Sequence, residues 1–311
     1  MQSYIMKVKK EKQGALEAVN TLEEEPCHDF FWGLSPEGFH KLAYVDWGEK
    51  HNPILMCVHA LIRNSRDFDY LAQGLRKTYR VICPDVLGHG KSDYAKSHLT
   101  YNFTQYMNDM VALLGCVGAR DVHWLGTSLG GIIGMMLAAQ PKSPIKSLIL
   151  NDVGMIVPSM ALQRIGTYAR NDHCFSDLGV AKEYFQTILA PLGIQDAEKW
   201  DHITKHSTRA NEDDTAFHLS YDPAIGQAYI NQMVPTLHLE AYWQSIRCPI
   251  LVLRGEESDF LPPEIITKML YFQPKAKVIT IPGCGHAPSL MEPDHIEIIE
   301  SWLEGLKKEE R

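Results

Sequence analysis

The stretch "HWLGTSLGGIIGMM", residues 123–136, decides the fold. A lone serine, Ser128, stands between glycines in Gly126-Thr127-Ser128-Leu129-Gly130, and Gly131 and Gly134 follow. One apolar run leads into it and another leads out. Glycine weakens a strand end or a helix start. Four glycines in nine residues therefore mark a backbone that must pass close to something else.

The flanks give the setting. "DVHWLGT" reads as a strand and "LGGIIGMMLAAQ" as a helix stopped before Pro141. The same alternation runs outward. "KLAYVDWG", "PILMCVHA", "RVICPDV" and "IKSLILNDV" are strand-like, as are "CPILVLRGEES" and "AKVITIPGCG" later on. "RDFDYLAQGLRKTY", "TQYMNDMVALLGCV", a segment around Glu264 to Phe272 and "DHIEIIESWLEGL" have helical spacing. Short apolar strands alternating with helices predict a parallel sheet with helices on both faces. Between Gly154 and Ser245 the rhythm breaks for about 90 residues, far beyond an ordinary connection of about 2–6. That stretch is rich in helix formers, histidines and aromatics, and it predicts a mostly helical insertion acting as a lid over one end of the sheet.

Ser128 then falls at a sharp turn between strand and helix. Gly-x-Ser-x-Gly in that setting is a nucleophile elbow. The serine is lifted to the carboxyl edge of the sheet, and the helix behind it aims free N–H groups and its positive end at any oxyanion that forms there. A nucleophilic serine needs a base and a group that orients the base, in the chain order serine, acid, histidine. His286, in "IPGCGHAPSLMEP" after the last strand, fits the base. Asp259, in "RGEESDFLPPE", is the favoured acid. Glu256, Glu257 and, from "LNDVG", Asp152 stay open as alternatives.

Bulk composition narrows the classes. The chain has 311 residues, 45% of them hydrophobic and 22% charged, in the ordinary range of a globular protein. A formal net charge of −8 argues against a nucleic-acid binder, which needs a basic face. Lys7, Lys9, Lys10 and Lys12 read as a solvated tail. No apolar run reaches the ~20 residues of a membrane span, and the N-terminus lacks the apolar core of a signal peptide. Seven scattered cysteines without CxxC pairs predict free thiols and a cytoplasmic, reducing setting, with Cys57, Cys83 and Cys116 in the core. Gly90-Lys91-Ser92 lacks the upstream glycine of a phosphate loop, since position 85 is Asp. His202 and His206 are spaced i, i+4 without the glutamate of a zinc-protease helix, and read as surface residues of the lid. Neither a metal nor another cofactor is needed for serine chemistry.

Taken together, His59-Ala60-Leu61, "CPDVLGHGKSD", the elbow at Ser128, "RGEESD" and "GCGHAP" resemble the α/β-hydrolase superfamily from about Phe30 onward. The resemblance implies a mostly parallel eight-stranded sheet with a helical lid inserted after the sixth strand. It implies an oxyanion hole from the backbone N–H groups of Leu61 and Leu129, serving a triad of Ser128, His286 and an acid for which Asp259 is favoured from the residues. Two departures stand out: Ala60 where the family has glycine, and one extra residue between Gly255 and Asp259. The expected organisation is an N-terminal extension over 1–29, a hydrolase core over 30–154 and 246–311, and the lid over 155–245. The lid's large side chains, among them Met155, Tyr168, Trp200, Tyr229 and Met233, are expected to divide between packing and an apolar substrate pocket. The expected activity is hydrolysis of a small to medium carboxylic ester or thioester through an acyl-enzyme. The alternatives are cleavage of a C–C bond beside a ketone, and a ligand receptor with weak turnover on the same fold.

Overall fold

The computed structural model describes Leu22 and residues 24–229 and 235–309. In chain order the core contains β1 (Cys27–Ser35), β2 (Gly38–Trp47), β3 (Ile54–Val58), α1 (Asp69–Leu75), β4 (Arg80–Pro84), α2 (Phe103–Cys116), β5 (Val122–Thr127), α3 (Leu129–Ala138) and β6 (Ile145–Asn151). An insertion follows, with β7 (Ile156–Val157), α4 (Ser159–Ala169), β8 (Cys174–Phe175), α5 (Leu178–Ile188), α6 (Ala197–Ser207), β9 (Thr208–Ala210), β10 (Phe217–Leu219), β11 (Leu237–His238) and α7 (Glu240–Ser245). The core resumes with β12 (Ile250–Gly255), α8 (Pro263–Phe272), β13 (Lys277–Ile281) and α9 (Pro293–Glu309).

Eight strands form one sheet in the order β1-β2-β4-β3-β5-β6-β12-β13. β2 pairs antiparallel with both β1 and β4, and the remaining pairings are parallel. The central strands are apolar on both faces because helices cover both. α2, α3 and α8 pack one face, around Met110, Ile133, Leu150 and Met269. α1 and α9 pack the other, around Leu55, Leu75, Leu253 and Ile299. Cys57 and Cys83 are buried as expected, whereas Cys116, at the end of α2, is exposed. All seven cysteines are free thiols. Among the described residues no helix is long and apolar enough to cross a membrane.

The insertion is less uniformly helical than its composition predicts. Five short strands build a three-stranded sheet and a two-stranded pair among its helices. It has an apolar centre of its own around Phe185, Trp200 and Ile203, which meets the core at Tyr70 and Met291. Its last helix, α7, lies instead against the core face, with Trp243 fully buried and its indole N–H donating to Met269 O at 3.0 Å. Most of the expected N-terminal extension, along with Met233 and the Tyr229 side chain, lies outside the described residues.

Candidate active site

The elbow is built as its glycines require. Ser128 caps α3 with φ 49° and ψ −109°, an unfavourable left-handed conformation for a side-chain-bearing residue. The turn is held by Ser128 N–H donating to Asn151 O at 3.1 Å and Gly130 N–H to His59 O at 3.1 Å. A Cβ on Gly130 would stand 2.0 Å from Val58 O, and one on Gly126 would stand 2.2 Å from the Gly130 carbonyl group. Neither backbone can retreat, so helix and strand cross this closely only through glycine.

His286 sits in the loop between β13 and α9. Its Nε2 lies 3.0 Å from Ser128 Oγ and its Nδ1 lies 2.7 Å from Asp152 Oδ2. The Phe260 ring stacks on the imidazole at 3.9 Å between centroids, fixing its plane. Asp152 is fully buried and follows β6 directly, at φ 55°. Its Oδ1 accepts from Gly255 N–H at 2.9 Å and its Oδ2 from Ser258 Oγ at 2.6 Å. Ser258 is itself fixed, accepting from Phe260 N–H and Leu261 N–H at 3.2 and 3.0 Å.

The carboxylate on His286 is therefore Asp152, not the expected Asp259. Asp259 is 54% exposed and takes a two-pronged bond from Arg164 of α4, at 2.9 and 3.0 Å. The physical reason is the sheet. β6 and β12 are parallel neighbours, with Asn151 opposite Leu253, so the chain leaving each strand reaches the same edge. The position just after β6 turns its side chain toward His286, while the one past β12 has already run out to the surface. Glu256 and Glu257 are exposed on that same turn.

The loop carrying Leu61 is held from beneath. His59 is completely buried, its Nδ1 donating to Ala60 O at 2.7 Å and its Nε2 accepting from Val86 N–H at 3.0 Å. Burial, with His89 beside it, pushes its pKa well below the ordinary histidine range, so the ring stays neutral in this one tautomer. Ala60 O and Leu61 N–H belong to one trans peptide and point in opposite directions. Pinning the carbonyl on His59 thus aims the Leu61 N–H the other way. Ala60 is not among the residues with positive φ, so a methyl group replaces the family's glycine without strain. Leu129 opens α3, where first-turn N–H groups lack helical acceptors.

Three further residues carry the site without having been singled out in the sequence. Asn151 donates to Thr127 Oγ1 at 3.1 Å and to Pro288 O at 2.9 Å, tying elbow to histidine loop. Its only sequence signal is adjacency to Asp152. Ser258 braces Asp152, and nothing local marks it. Arg63 lines the cavity above Ser128 and is 3% exposed.

Two cavities, of about 60 and 200 Å³, meet at Ser128. One is bounded by His286, Ser289, Arg63, Tyr168 and Leu192. The other is bounded by Phe103, Leu129, Ile132, Leu162 and Phe260. Of the insertion's large side chains, Tyr168 borders the first cavity, whereas Met155 and Trp200 are spent on packing.

His202 is buried and His206 half-buried, rather than exposed on the insertion. With Asp69 they place three ligand-type atoms within 4.8 Å of one another. Arg66 Nε donates to Asp69 Oδ2 at 2.6 Å, however, and His202 Nε2 faces the Arg66 carbonyl at 2.9 Å as a donor. A guanidinium on the carboxylate and a protonated ring nitrogen suit a hydrogen-bonded cluster better than a cation.

Residues 55–298 match the family model described as "Alpha/beta hydrolase family". The chain is 36% identical over 292 residues to 3-hydroxybutyrate-oligomer hydrolase of Cupriavidus necator, covering 91% of this chain and all of that one. A crystal structure from Rickettsia typhi superposes with a TM-score of 0.82 at 36% identity, over 91% of this chain and 99% of that one. An alpha/beta hydrolase from Novosphingobium aromaticivorans gives 0.79 at 32% identity, over 90% and 99%. With the eight-stranded sheet, the elbow at its edge and a family match over most of its length, this chain belongs to the alpha/beta hydrolase family.

Proposed function

We propose that the chain is a serine hydrolase that cleaves small to medium carboxylic esters through an acyl-enzyme. The observation that carries this is the unbroken relay from Ser128 Oγ through His286 to Asp152, at 3.0 and 2.7 Å, at the meeting point of two cavities. In this reading His286 Nε2 takes the Ser128 proton as Oγ attacks the carbonyl carbon. Asp152 holds the ring in the tautomer with Nδ1–H and stabilises the imidazolium. The Leu61 and Leu129 N–H groups receive the oxyanion, each worth about 3–4 kcal/mol in the transition state. His286 then protonates the leaving oxygen, and water repeats the cycle on the ester of Ser128. The insertion closes over both cavities as a lid. Similarity to a 3-hydroxybutyrate-oligomer hydrolase favours esters of short hydroxy acids among the possible substrates.

A series of p-nitrophenyl esters tests the reading, together with a serine-directed phosphonate. One label per chain, at Ser128, and loss of turnover in folded Ser128→Ala are expected. Labelling elsewhere, or full turnover by the alanine variant, overturns it. Turnover confined to thioesters, or to C–C cleavage beside a ketone, would keep the relay and change the substrate.

A further inference from the structure

We propose that Arg63 binds a carboxylate on the leaving group, so that the substrate is an ester whose released alcohol is a short hydroxy acid. The inference rests on the ester reading above and adds which end of the substrate is charged and which residue receives it.

The two cavities differ in chemistry. The leaving oxygen takes its proton from His286 Nε2, so the leaving group lies in the cavity that His286 and Ser289 border. The acyl group falls to the other cavity, against Leu129 at the start of α3. That acyl cavity is lined by Phe103, Ile132, Leu162 and other residues without charge. The leaving-group cavity holds two charged residues besides His286, Arg63 and Asp67, among apolar neighbours such as Leu192 and Ile203.

Arg63 is set up as a receptor. Its Nε and Nη2 grip Asp67 side-on at 2.9 and 2.6 Å, and Nη1 donates to Ser207 of α6 at 2.8 Å. Those bonds use three of the five guanidinium N–H groups. The other two, one on Nη1 and one on Nη2, have no acceptor among the described residues and are chemically suited to carboxylate oxygens. A buried cation with spare donors is costly unless an acceptor completes it. Asp67 fixes the plane from one edge, and Ser207 anchors it to the insertion. A leaving group that is apolar along its middle and anionic at its far end satisfies both the walls and Arg63.

The atoms balance without a further reactant. Ser128 Oγ bonds to the carbonyl carbon, and the bond from that carbon to the alkoxy oxygen breaks. The oxygen takes the proton held on His286 Nε2, and the hydroxy acid leaves with its carboxylate unchanged. Water then releases the acyl group as a second acid. An oligoester of hydroxy acids would lose one unit at a time from its carboxyl end.

The test uses the full chain with three substrates: p-nitrophenyl butyrate, 3-(butanoyloxy)butanoate and the methyl ester of that acid. Hydrolysis of p-nitrophenyl butyrate examines the ester reading by itself, and its absence would remove that reading and this inference together. With that activity present, the wild type is expected to favour the free acid over the methyl ester by about 10- to 100-fold in kcat/KM, as a charge-assisted pair supplies. Equal rates on acid and methyl ester overturn the inference and leave the ester reading intact. In Arg63→Met the ratio should fall to near one through a raised KM for the acid, with Arg63→Lys between. Where Arg63→Met fails to fold because Asp67 loses its partner, the double variant Arg63→Met/Asp67→Leu serves, and an acid preference preserved in it overturns the inference. A hydroxybutyrate trimer should release monomer when its hydroxyl end is acetylated and stall when its carboxyl end is methylated. The reverse pattern overturns the inference.

Discussion

Asp152→Asn is the most informative single change at this site. Asp152 accepts three hydrogen bonds, from Gly255 N–H, Ser258 Oγ and His286 Nδ1, and is completely buried. An asparagine retains one acceptor oxygen. Gly255 N–H is a backbone donor that cannot turn away, so the oxygen stays at the Oδ1 position and the amide NH₂ faces Ser258 and His286. His286 must then present a lone pair at Nδ1, which moves its proton to Nε2, against Ser128 Oγ at 3.0 Å. The base is lost while every atom remains close to its place. The expected fall in kcat is on the order of 10⁴, or about 5 kcal/mol at 1.36 per tenfold. The Ser258 hydroxyl loses its acceptor as well, at a stability cost of about 1–3 kcal/mol. That is below the 5–15 kcal/mol typical of a folded domain, so the variant should remain native. The assay is acylation by p-nitrophenyl butyrate, with circular dichroism and a urea midpoint to confirm folding. Asp259→Asn is the control. Its ion pair with Arg164 is exposed on both sides and worth about 0–1 kcal/mol, so its effect on kcat should stay within about fivefold. A folded Asp152→Asn that keeps a tenth of wild-type activity, or an Asp259→Asn that loses as much as it does, would refute the reasoning.

Other expectations follow from single observations. Gly130→Ala puts a methyl group 2.0 Å from Val58 O and should destabilise by about 3 kcal/mol or more, read as a lowered urea midpoint; an unchanged midpoint would show that the helix can shift. Leu162→Ala opens the uncharged cavity and should move chain-length preference toward longer p-nitrophenyl esters, at roughly 0.8 kcal/mol per buried methylene, with little change on the acetate. Equal changes on every ester would place Leu162 outside the acyl path. Burial first, and the nearby Arg66 charge, push His202 down to about 4 and His206 down to about 2. The unfolded chain protonates both near ~6.5 while the folded one does not, so their contribution to stability is lost as pH falls below that value, by up to about 1.4 kcal/mol per pH unit for each. For His202 the loss ends near its folded pKa of about 4. Asp69, pushed up to about 7 by burial, acts in the opposite sense, since the folded state binds its proton first. The readout is therefore the slope of urea midpoint against pH in His202→Gln relative to wild type, expected to be flatter; identical slopes would sink the assignment.

The sequence by itself determined the strand–turn–helix at Ser128, because only glycine permits the backbone crossings at Gly126 and Gly130, and such a pattern is local. It also singled out His286, whose Nε2 lies 3.0 Å from Ser128 Oγ, since a glycine-rich loop after the last apolar strand has to arrive at the same sheet edge. The alternation of buried strands and helices carried the parallel sheet for the same reason: burial on both faces is written residue by residue. The carboxylate beside His286 was not determined in this way. Asp152 and Asp259 both follow parallel strands, and local pattern cannot tell which carboxylate turns inward. That choice is made by the lateral pairing of β6 with β12, by the left-handed turn at Asp152, and by Arg164 of the insertion drawing Asp259 outward. The burial of His202 was hidden likewise, because α6 shows its inner face only once it lies against Arg66 and Tyr70. Arg63 and Ser258 look like ordinary loop residues until tertiary packing closes around them, and side chains whose partners lie more than a hundred positions away in the chain are settled by the fold alone.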